Sequence, residues 1–301
     1  MKVLISDGIE EIGAKILTEA GLEVVNKKVT PEELLETIKE YDAIIVRSAT
    51  KVTREVIDAG NLKAIARGGV GLDNIDVAYA KEKGIPVLNT PGASSISVAE
   101  LAIAHMFSVA RFINVSNIEM RNGKWPKKDY AHGFELTGKT LGLIGFGNIG
   151  KEVAKRAFGL GMKVVATDPF VTSTDMDVKI VSKDELLAMA DVISLHIPFI
   201  KAEGPTIKKA EFDKMKDGVV LINCARGGVV VEKDLLEALN SGKVKAAGID
   251  VFENEPFTEA QHELINHPKV SVTPHIGAST DEAQERVGQE IAEKVVAVLK
   301  G

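Results

Sequence analysis

Short apolar runs alternate with helix-patterned stretches from one end of this chain to the other, and that alternation leaves few folds open. Val3-Leu4-Ile5, Ala43-Ile44-Ile45-Val46, Ala64-Ile65-Ala66 and Pro86-Val87-Leu88 each stop at a turn or polar residue and read as buried strands. A second series begins at Thr140-Leu141-Gly142-Leu143-Ile144 and continues through residues 163–166, 192–195, 219–222, 246–249 and 270–272. Its strands recur at intervals of about 20 to 30 residues, the spacing of strand–helix units and not of a short-period solenoid. The pattern predicts an α/β chain built on doubly wound parallel sheets, covered by helices on both faces.

At 301 residues there is room for about two domains. Thr30 as N-cap, Pro31 in the first turn and Glu33 completing a capping box start a helix between the first two strands. Residues 97–120, after Pro91-Gly92-Ala93-Ser94-Ser95, are apolar on most faces and read as one long helix buried in a core or an interface. Ser279 with Glu282 makes a second capping box. The helix it opens has apolar positions at Ala283, Val287, Ile291, Val295 and Leu299, expected to pack back on the N-terminal part of the chain. The N-terminal domain is therefore expected to be discontinuous, residues 1–96 plus 280–301, around a middle domain of residues 97–279.

Composition excludes several classes of function. With 37 basic against 43 acidic residues, the net charge of −6 argues against nucleic acid as a partner. An aromatic content of 5% disfavours single-strand stacking platforms. Cys224 is the only cysteine, so no intrachain disulfide and no cysteine metal cluster can form, and no metal is expected. The apolar N-terminal stretch is too short for a signal core, and no apolar run approaches the ~20 residues of a membrane helix. A cytoplasmic location without a membrane partner is the expectation.

Gly145-Phe146-Gly147-Asn148-Ile149-Gly150 lies between the strand ending at Ile144 and the helical stretch 151–156. In that setting Gly145 permits a tight turn, Gly147 lets the backbone approach a pyrophosphate, and Gly150 allows close packing of helix on strand. The helix N-terminus, where Asn148 and Ile149 stand, offers amide donors and a positive dipole to phosphates. Asp168 follows at the end of the next strand. A carboxylate there bonds the ribose hydroxyls of NAD and repels the extra phosphate of NADP. Pro169 and Phe170 come next rather than Arg or Lys, so NAD is the expected cofactor.

Three later strands end in chemically capable residues. They run into Asn223-Cys224-Ala225-Arg226-Gly227-Gly228, Asp250-Val251-Phe252-Glu253-Asn254-Glu255-Pro256 and Thr273-Pro274-His275-Ile276-Gly277. In a parallel sheet these ends share one rim with the glycine turn. Hydride transfer to or from an alcohol carbon needs a base for the hydroxyl proton, and histidine titrates in the right range. A carboxylate beside it fixes the tautomer, and an arginine grips a carboxylate in a bidentate fork. Arg226, Glu255 and His275 supply these three types, although a surface ion pair or a structural histidine is the plainer role of each alone. Cys224 follows a buried strand with no base beside it and reads as structural. His196, before Pro198, ends another strand and is expected to line the cofactor crevice without doing chemistry.

Together these segments resemble the D-2-hydroxyacid dehydrogenase family over essentially the whole chain, through the glycine turn, Asn223 to Gly228, Asp250 to Pro256, and Thr273 through Ala278-Ser279-Thr280. The resemblance implies a Rossmann cofactor domain inserted into a discontinuous flavodoxin-like substrate domain, usually as a homodimer formed through residues 97–120 and the loop carrying Trp125. It makes Arg226 the substrate-binding arginine, His275 the acid/base and Glu255 its partner. It makes Asp250 a contact to the nicotinamide carboxamide, and it adds Val70, Cys224, Ala225, Gly277 and Ala278 to the cofactor's surroundings.

Within that family the likeness is strongest to the phosphoglycerate dehydrogenase branch. It rests on Val46-Arg47-Ser48-Ala49-Thr50-Lys51-Val52, on Ala66-Arg67-Gly68-Gly69-Val70-Gly71-Leu72-Asp73-Asn74, and on Asn89-Thr90-Pro91 leading to Ser97-Val98-Ala99-Glu100. The amides of Gly68, Gly69 and Gly71 suit a carboxylate. Arg47, with Ser48, and Arg67 suit a phosphate at the far end of a phosphorylated 2-hydroxy acid. The expected reaction is oxidation of 3-phosphoglycerate. Reduction of glyoxylate, hydroxypyruvate or a lactate-type keto acid is the alternative, and a dinucleotide-sensing corepressor is the reading from another class. Three departures stand out: a C-terminal regulatory domain like that of longer family members is expected to be absent, Val231 stands where relatives usually carry an acidic residue, and Phe199–Pro205 takes the place of a Leu-Thr-rich loop.

Overall fold

The computed structural model describes all residues, 1–301. The chain divides into two compact units, Met1–Ser95 with Ala278–Gly301, and Ile96–Gly277. Strands of the first unit are β1 (Lys2–Ile5), β2 (Glu23–Asn26), β3 (Ala43–Val46), β4 (Ala64–Arg67) and β5 (Val87–Leu88). All pair in parallel in the order β2-β1-β3-β4-β5, the doubly wound order of flavodoxin-like sheets. Period-two alternation divides their side chains between two cores. Leu4, Ile44, Val46 and Ile65 enter one; Val3, Ile5, Ala43, Ile45, Ala64 and Ala66 enter the other. The second core is closed by Ile291, Ala292, Val295 and Leu299 of the helix Asp281–Lys300. That helix lies against Glu11–Glu19 closely enough that a Cβ on Gly13 would sit 2.5 Å from the Gly288 carbonyl oxygen.

The second unit holds β6 (Thr140–Ile144), β7 (Lys163–Thr167), β8 (Val178–Ile180), β9 (Val192–Leu195), β10 (Val219–Asn223), β11 (Val244–Ile249) and β12 (Val270–Val272). They form a wholly parallel sheet in the order β12-β11-β10-β9-β6-β7-β8. The order reverses at β6, and ligands of such sheets bind beyond the strand carboxyl ends at that point.

Several local expectations are corrected. Residues 97–120 are not one helix but two, Ser95–Ala110 and Ile113–Arg121, bent by 65°. The break is at Phe112, whose φ of 56° cannot continue a right-handed helix, and whose ring packs on Tyr130 at 5.4 Å. The last helix is capped by Thr280, one residue beyond Ser279; its hydroxyl accepts from Ala283 N. Thr30 does accept from Glu33 N, but the Glu33 carboxylate pairs with Lys27 instead of closing a box. Helix Glu11–Glu19 and the short strands β2 and β8 were not foreseen, because their apolar patterns are brief and partly exposed. No single helix is long and apolar enough to cross a membrane.

Candidate active site

The glycine turn is shaped by three different demands. Gly145 has φ +96°, and a Cβ there would meet the His196 carbonyl oxygen at 2.4 Å. Gly150 faces the Gly145 carbonyl oxygen, also 2.4 Å from an added Cβ, so the helix closes onto the turn itself. Gly147 is the exception, since a Cβ there would meet nothing within 4 Å. It caps the helix Asn148–Gly159, which receives no side-chain cap. Open space over a helix N-terminus lacking a side-chain cap fits a dinucleotide pyrophosphate. Asp168, just past β7, accepts from Phe146 N and Phe170 N at 2.8 Å each, which ties the turn to the strand where a ribose would lie. His196 follows β9; its Nε2 is 2.9 Å from Ser194 Oγ and its buried Nδ1 has no partner. Burial pushes its pKa down to about 3, so the ring is neutral and serves no acid/base step at ordinary pH.

The ends of β10, β11 and β12 are adjacent in the sheet and deliver Arg226, Glu255 and His275. His275 Nδ1 lies 2.6 Å from Glu255 Oε2, with the two side chains 47% and 37% exposed. His275 is thus at the surface of its unit and not a buried structural residue. Burial alone would raise the Glu255 carboxyl, but the bonds from His275 and from Phe252 N, with the charge of Arg226, hold it below the usual range. The ionised carboxylate fixes the Nδ1–H tautomer and leaves Nε2 for a substrate hydroxyl or carbonyl oxygen. His275 is left-handed, φ 55°, a conformation costing a non-glycine residue about 1–2 kcal/mol. The carboxylate of Asp250 holds the loop by accepting from Ile276 N and Gly277 N at 2.9 Å each, while its carbonyl accepts from His275 N at 2.8 Å.

Arg226 donates from Nη1 to the Ala225 carbonyl at 2.7 Å. Next to it, a Cβ on Gly227 would lie 1.8 Å from the Phe252 carbonyl oxygen, so glycine alone permits the loops after β10 and β11 to meet. The same junction carries a reciprocal clasp, Glu253 N to Glu232 Oε1 at 2.6 Å and Glu232 N to Glu253 Oε1 at 3.0 Å. Glu232 directly follows Val231, the position at which an acidic residue was missing, and burial together with the nearby carboxylates raises its pKa. Cys224 is buried, and burial pushes its thiol up, away from nucleophilic use.

In the first unit, Arg47 and Arg67 both stand at strand ends. Arg67 reaches the carbonyls of Arg47, at 3.4 Å, and of Gly71, and the Ser48 hydroxyl at 3.3 Å. Its guanidinium therefore braces the loop 68–71. Gly69, at φ +151°, packs over that guanidinium, and Val70 O accepts from Asn89 Nδ2 at 2.7 Å. Gly68 packs against Val287. Ala278 begins the second segment of this unit, its carbonyl accepting from Gln284. Sequence reasoning missed Gly227, Glu232 and the buried groups behind Asp250. The one available signal for the last was a histidine, His105, inside an apolar helix.

A dinucleotide turn at the switch point of a parallel sheet, with a histidine–carboxylate pair and an arginine on the same rim, defines an NAD-dependent dehydrogenase of small hydroxy acids. Residues 103–277 match the model of the D-isomer specific 2-hydroxyacid dehydrogenase NAD-binding domain. The chain is 56% identical over 266 residues to the hydroxypyruvate reductase of Thermotoga maritima, covering 88% of this chain and 87% of that protein. It is 46% identical over 306 residues to the D-3-phosphoglycerate dehydrogenase of Methanocaldococcus jannaschii, covering all of this chain but 58% of that protein's length. A glyoxylate reductase structure from Paecilomyes thermophila superimposes with a TM-score of 0.91 at 34% identity, covering 100% of this chain and 96% of the other. The chain belongs to the D-2-hydroxyacid dehydrogenase family and uses NAD.

Proposed function

We propose that this chain reduces a short unphosphorylated 2-keto acid of the hydroxypyruvate or glyoxylate type. This moves the substrate away from 3-phosphoglycerate, which the sequence alone favoured. The observation that carries the reading is Arg67: its guanidinium is engaged by two backbone carbonyls and a hydroxyl of its own unit. Two arginines therefore do not stand ready to share a phosphate. The high identity to the Thermotoga maritima reductase, nearly end to end, supports the same reading.

Bound NADH would supply the hydride. The Gly145–Gly150 turn and Asp168 hold the pyrophosphate and ribose. Arg226 grips the substrate carboxylate in a fork and polarises the neighbouring keto oxygen. His275, oriented by its bond to Glu255, gives a proton from Nε2 to that oxygen as it becomes a hydroxyl, and Glu255 stabilises the imidazolium form that donates it. Gly68, Gly69 and Gly71 remain proposals as contacts to the substrate carboxylate, and Val70, Asp250, Gly277 and Ala278 as contacts to the cofactor, whereas Arg47, Ser48 and Arg67 would be substrate contacts only for a phosphorylated acid.

Assembly as a homodimer through the second unit belongs to the same reading. Phe107, Ile113, Ile118, Met120 and Trp125 expose apolar surface on and beside the bent helix pair. Sedimentation showing only monomer at micromolar concentration would remove it.

The phosphoglycerate reading survives as the second choice because the likeness to the Methanocaldococcus jannaschii enzyme spans the whole chain. The deciding experiment follows NADH at 340 nm with hydroxypyruvate, glyoxylate and 3-phosphohydroxypyruvate in parallel. A kcat/KM at least tenfold higher for the unphosphorylated acids is expected. A preference for the phosphorylated acid would return the chain to the other branch.

A further inference from the structure

Behind the His275 loop lies a buried line of polar side chains. His105 stands in helix Ser95–Ala110 and is 1% exposed. Its Nδ1 is 3.0 Å from Ser271 Oγ and its Nε2 is 3.0 Å from Thr273 Oγ1. Ser271 Oγ is in turn 2.9 Å from Ser108 Oγ, and Thr273 Oγ1 donates to Asp250 Oδ1 at 2.5 Å. Strand β11 carries glycine where the ring enters, for a Cβ on Gly248 would lie 2.5 Å from the His105 Cβ.

Counting protons gives this line one direction. An ionised Asp250 only accepts, so Thr273 must donate to it. The Thr273 oxygen then accepts from Nε2–H of His105, and Nδ1 accepts from Ser271, whose oxygen lies 2.9 Å from Ser108 Oγ. Every group is satisfied by a neutral imidazole, and burial lowers the pKa of His105, opposed only by Asp250. The line ends on the carboxylate that receives the Ile276 and Gly277 amides.

We propose that His105 is a positioning residue for the reaction: through Thr273 it orients the Asp250 carboxylate, which holds residues 275–277 so that His275 keeps its left-handed backbone and its bond to Glu255. This rests on the reading of His275 as the acid/base. His105 itself does not touch the reacting atoms.

The direct test is nitrogen-15 NMR of the histidine rings in the wild-type protein. It should show the His105 imidazole, told apart from the equally buried His196 by the signals that remain in His196→Gln, in the Nε2–H tautomer and not titrating across the neutral range. Kinetics supply the second test. Thr273→Val and His105→Phe should each lower kcat about 10- to 100-fold, with the KM for the keto acid within threefold of wild type. Thr273→Ser and His105→Gln keep the donors and acceptors and should retain most of kcat. The double variant Thr273→Val/His105→Phe should lose no more than the worse single one, because both break one line. An Nδ1–H or protonated His105, wild-type kcat in a folded Thr273→Val, or losses that multiply in the double variant would each overturn the proposal. If a variant fails to fold, the tautomer measurement still decides. Should His275→Asn keep wild-type turnover, the reading of His275 fails while the tautomer result stands on its own.

Discussion

The two units solve the problem of presenting polar groups at strand ends in opposite ways. In the second unit, Asp250 is 1% exposed and its carboxylate collects three donors, so the loop bearing His275 is fixed from below by a buried anion. In the first unit the cation is the brace, with Arg67 tying the Gly71 carbonyl of the loop that carries Gly68 to Gly71 to the Arg47 carbonyl after β3. A buried carboxylate with three donors defines one arrangement, since leaving any donor unpaired costs about 1–3 kcal/mol. A half-exposed arginine permits more adjustment, since its solvated charge has alternatives. On the function proposed above, the loop bearing the acid/base is thus anchored more firmly than the loop proposed to meet the substrate. That asymmetry suits a family in which hydroxypyruvate reductase and phosphoglycerate dehydrogenase both resemble this chain closely.

The contrast can be broken at several points. Arg226→Ala should have the largest effect short of the acid/base itself, an about 100- to 1,000-fold loss in kcat/KM carried mainly by KM, read from initial rates across keto acid concentration. Asp168→Ala should raise the NADH dissociation constant about tenfold and narrow the preference over NADPH, read by fluorescence titration of both dinucleotides. His196 tests the neutral, buried side of the second unit. Its folded pKa of about 3 lies below its unfolded value near 6.5, so the unfolded chain takes up a proton first as pH falls. Stability from this group is complete above pH ~6.5 and declines toward pH ~3, by at most about 1.4 kcal/mol per pH unit. His196→Gln should flatten that arm of a urea-midpoint profile relative to wild type. The smallest effect is expected for Arg47→Met, under threefold on hydroxypyruvate turnover, whereas Arg67→Met should lower thermal stability by about 1 kcal/mol through its lost hydrogen bonds. A phosphorylated substrate hit hard by Arg47→Met would erase the contrast between the units.

Much of this was legible because parallel strands buried on both faces must be near-continuous apolar runs, and the stretches at Val3–Ile5 or Val219–Ile222 have no other plausible state. The glycine turn was readable because Gly145 and Gly150 answer to backbone contacts that only glycine permits, while Gly147 keeps open the space over the helix N-terminus. The break at Phe112 was not, since neither glycine nor proline marks it and its left-handed backbone is held by tertiary packing on Tyr130. Strands β2 and β8 escaped because edge strands are short and half-exposed. Most instructive is Arg67. Its place at a strand end was clear, but whether its guanidinium faces a ligand or its own loop depends on carbonyls that the fold alone brings within reach. His105 and Thr273 were hidden likewise, being 168 residues apart and joined only by the packing of a helix on the sheet.

The most direct test separates binding from chemistry in one experiment. Enzyme loaded with NADH is mixed with hydroxypyruvate in a stopped-flow instrument while absorbance and nicotinamide fluorescence are followed through a single turnover. Wild type should oxidise its bound NADH within one fast phase, and His275→Ala should bind NADH with unchanged fluorescence yet oxidise it about 100- to 10,000-fold more slowly. Oxidation by His275→Ala at the wild-type rate would contradict the assignment of the proton to His275.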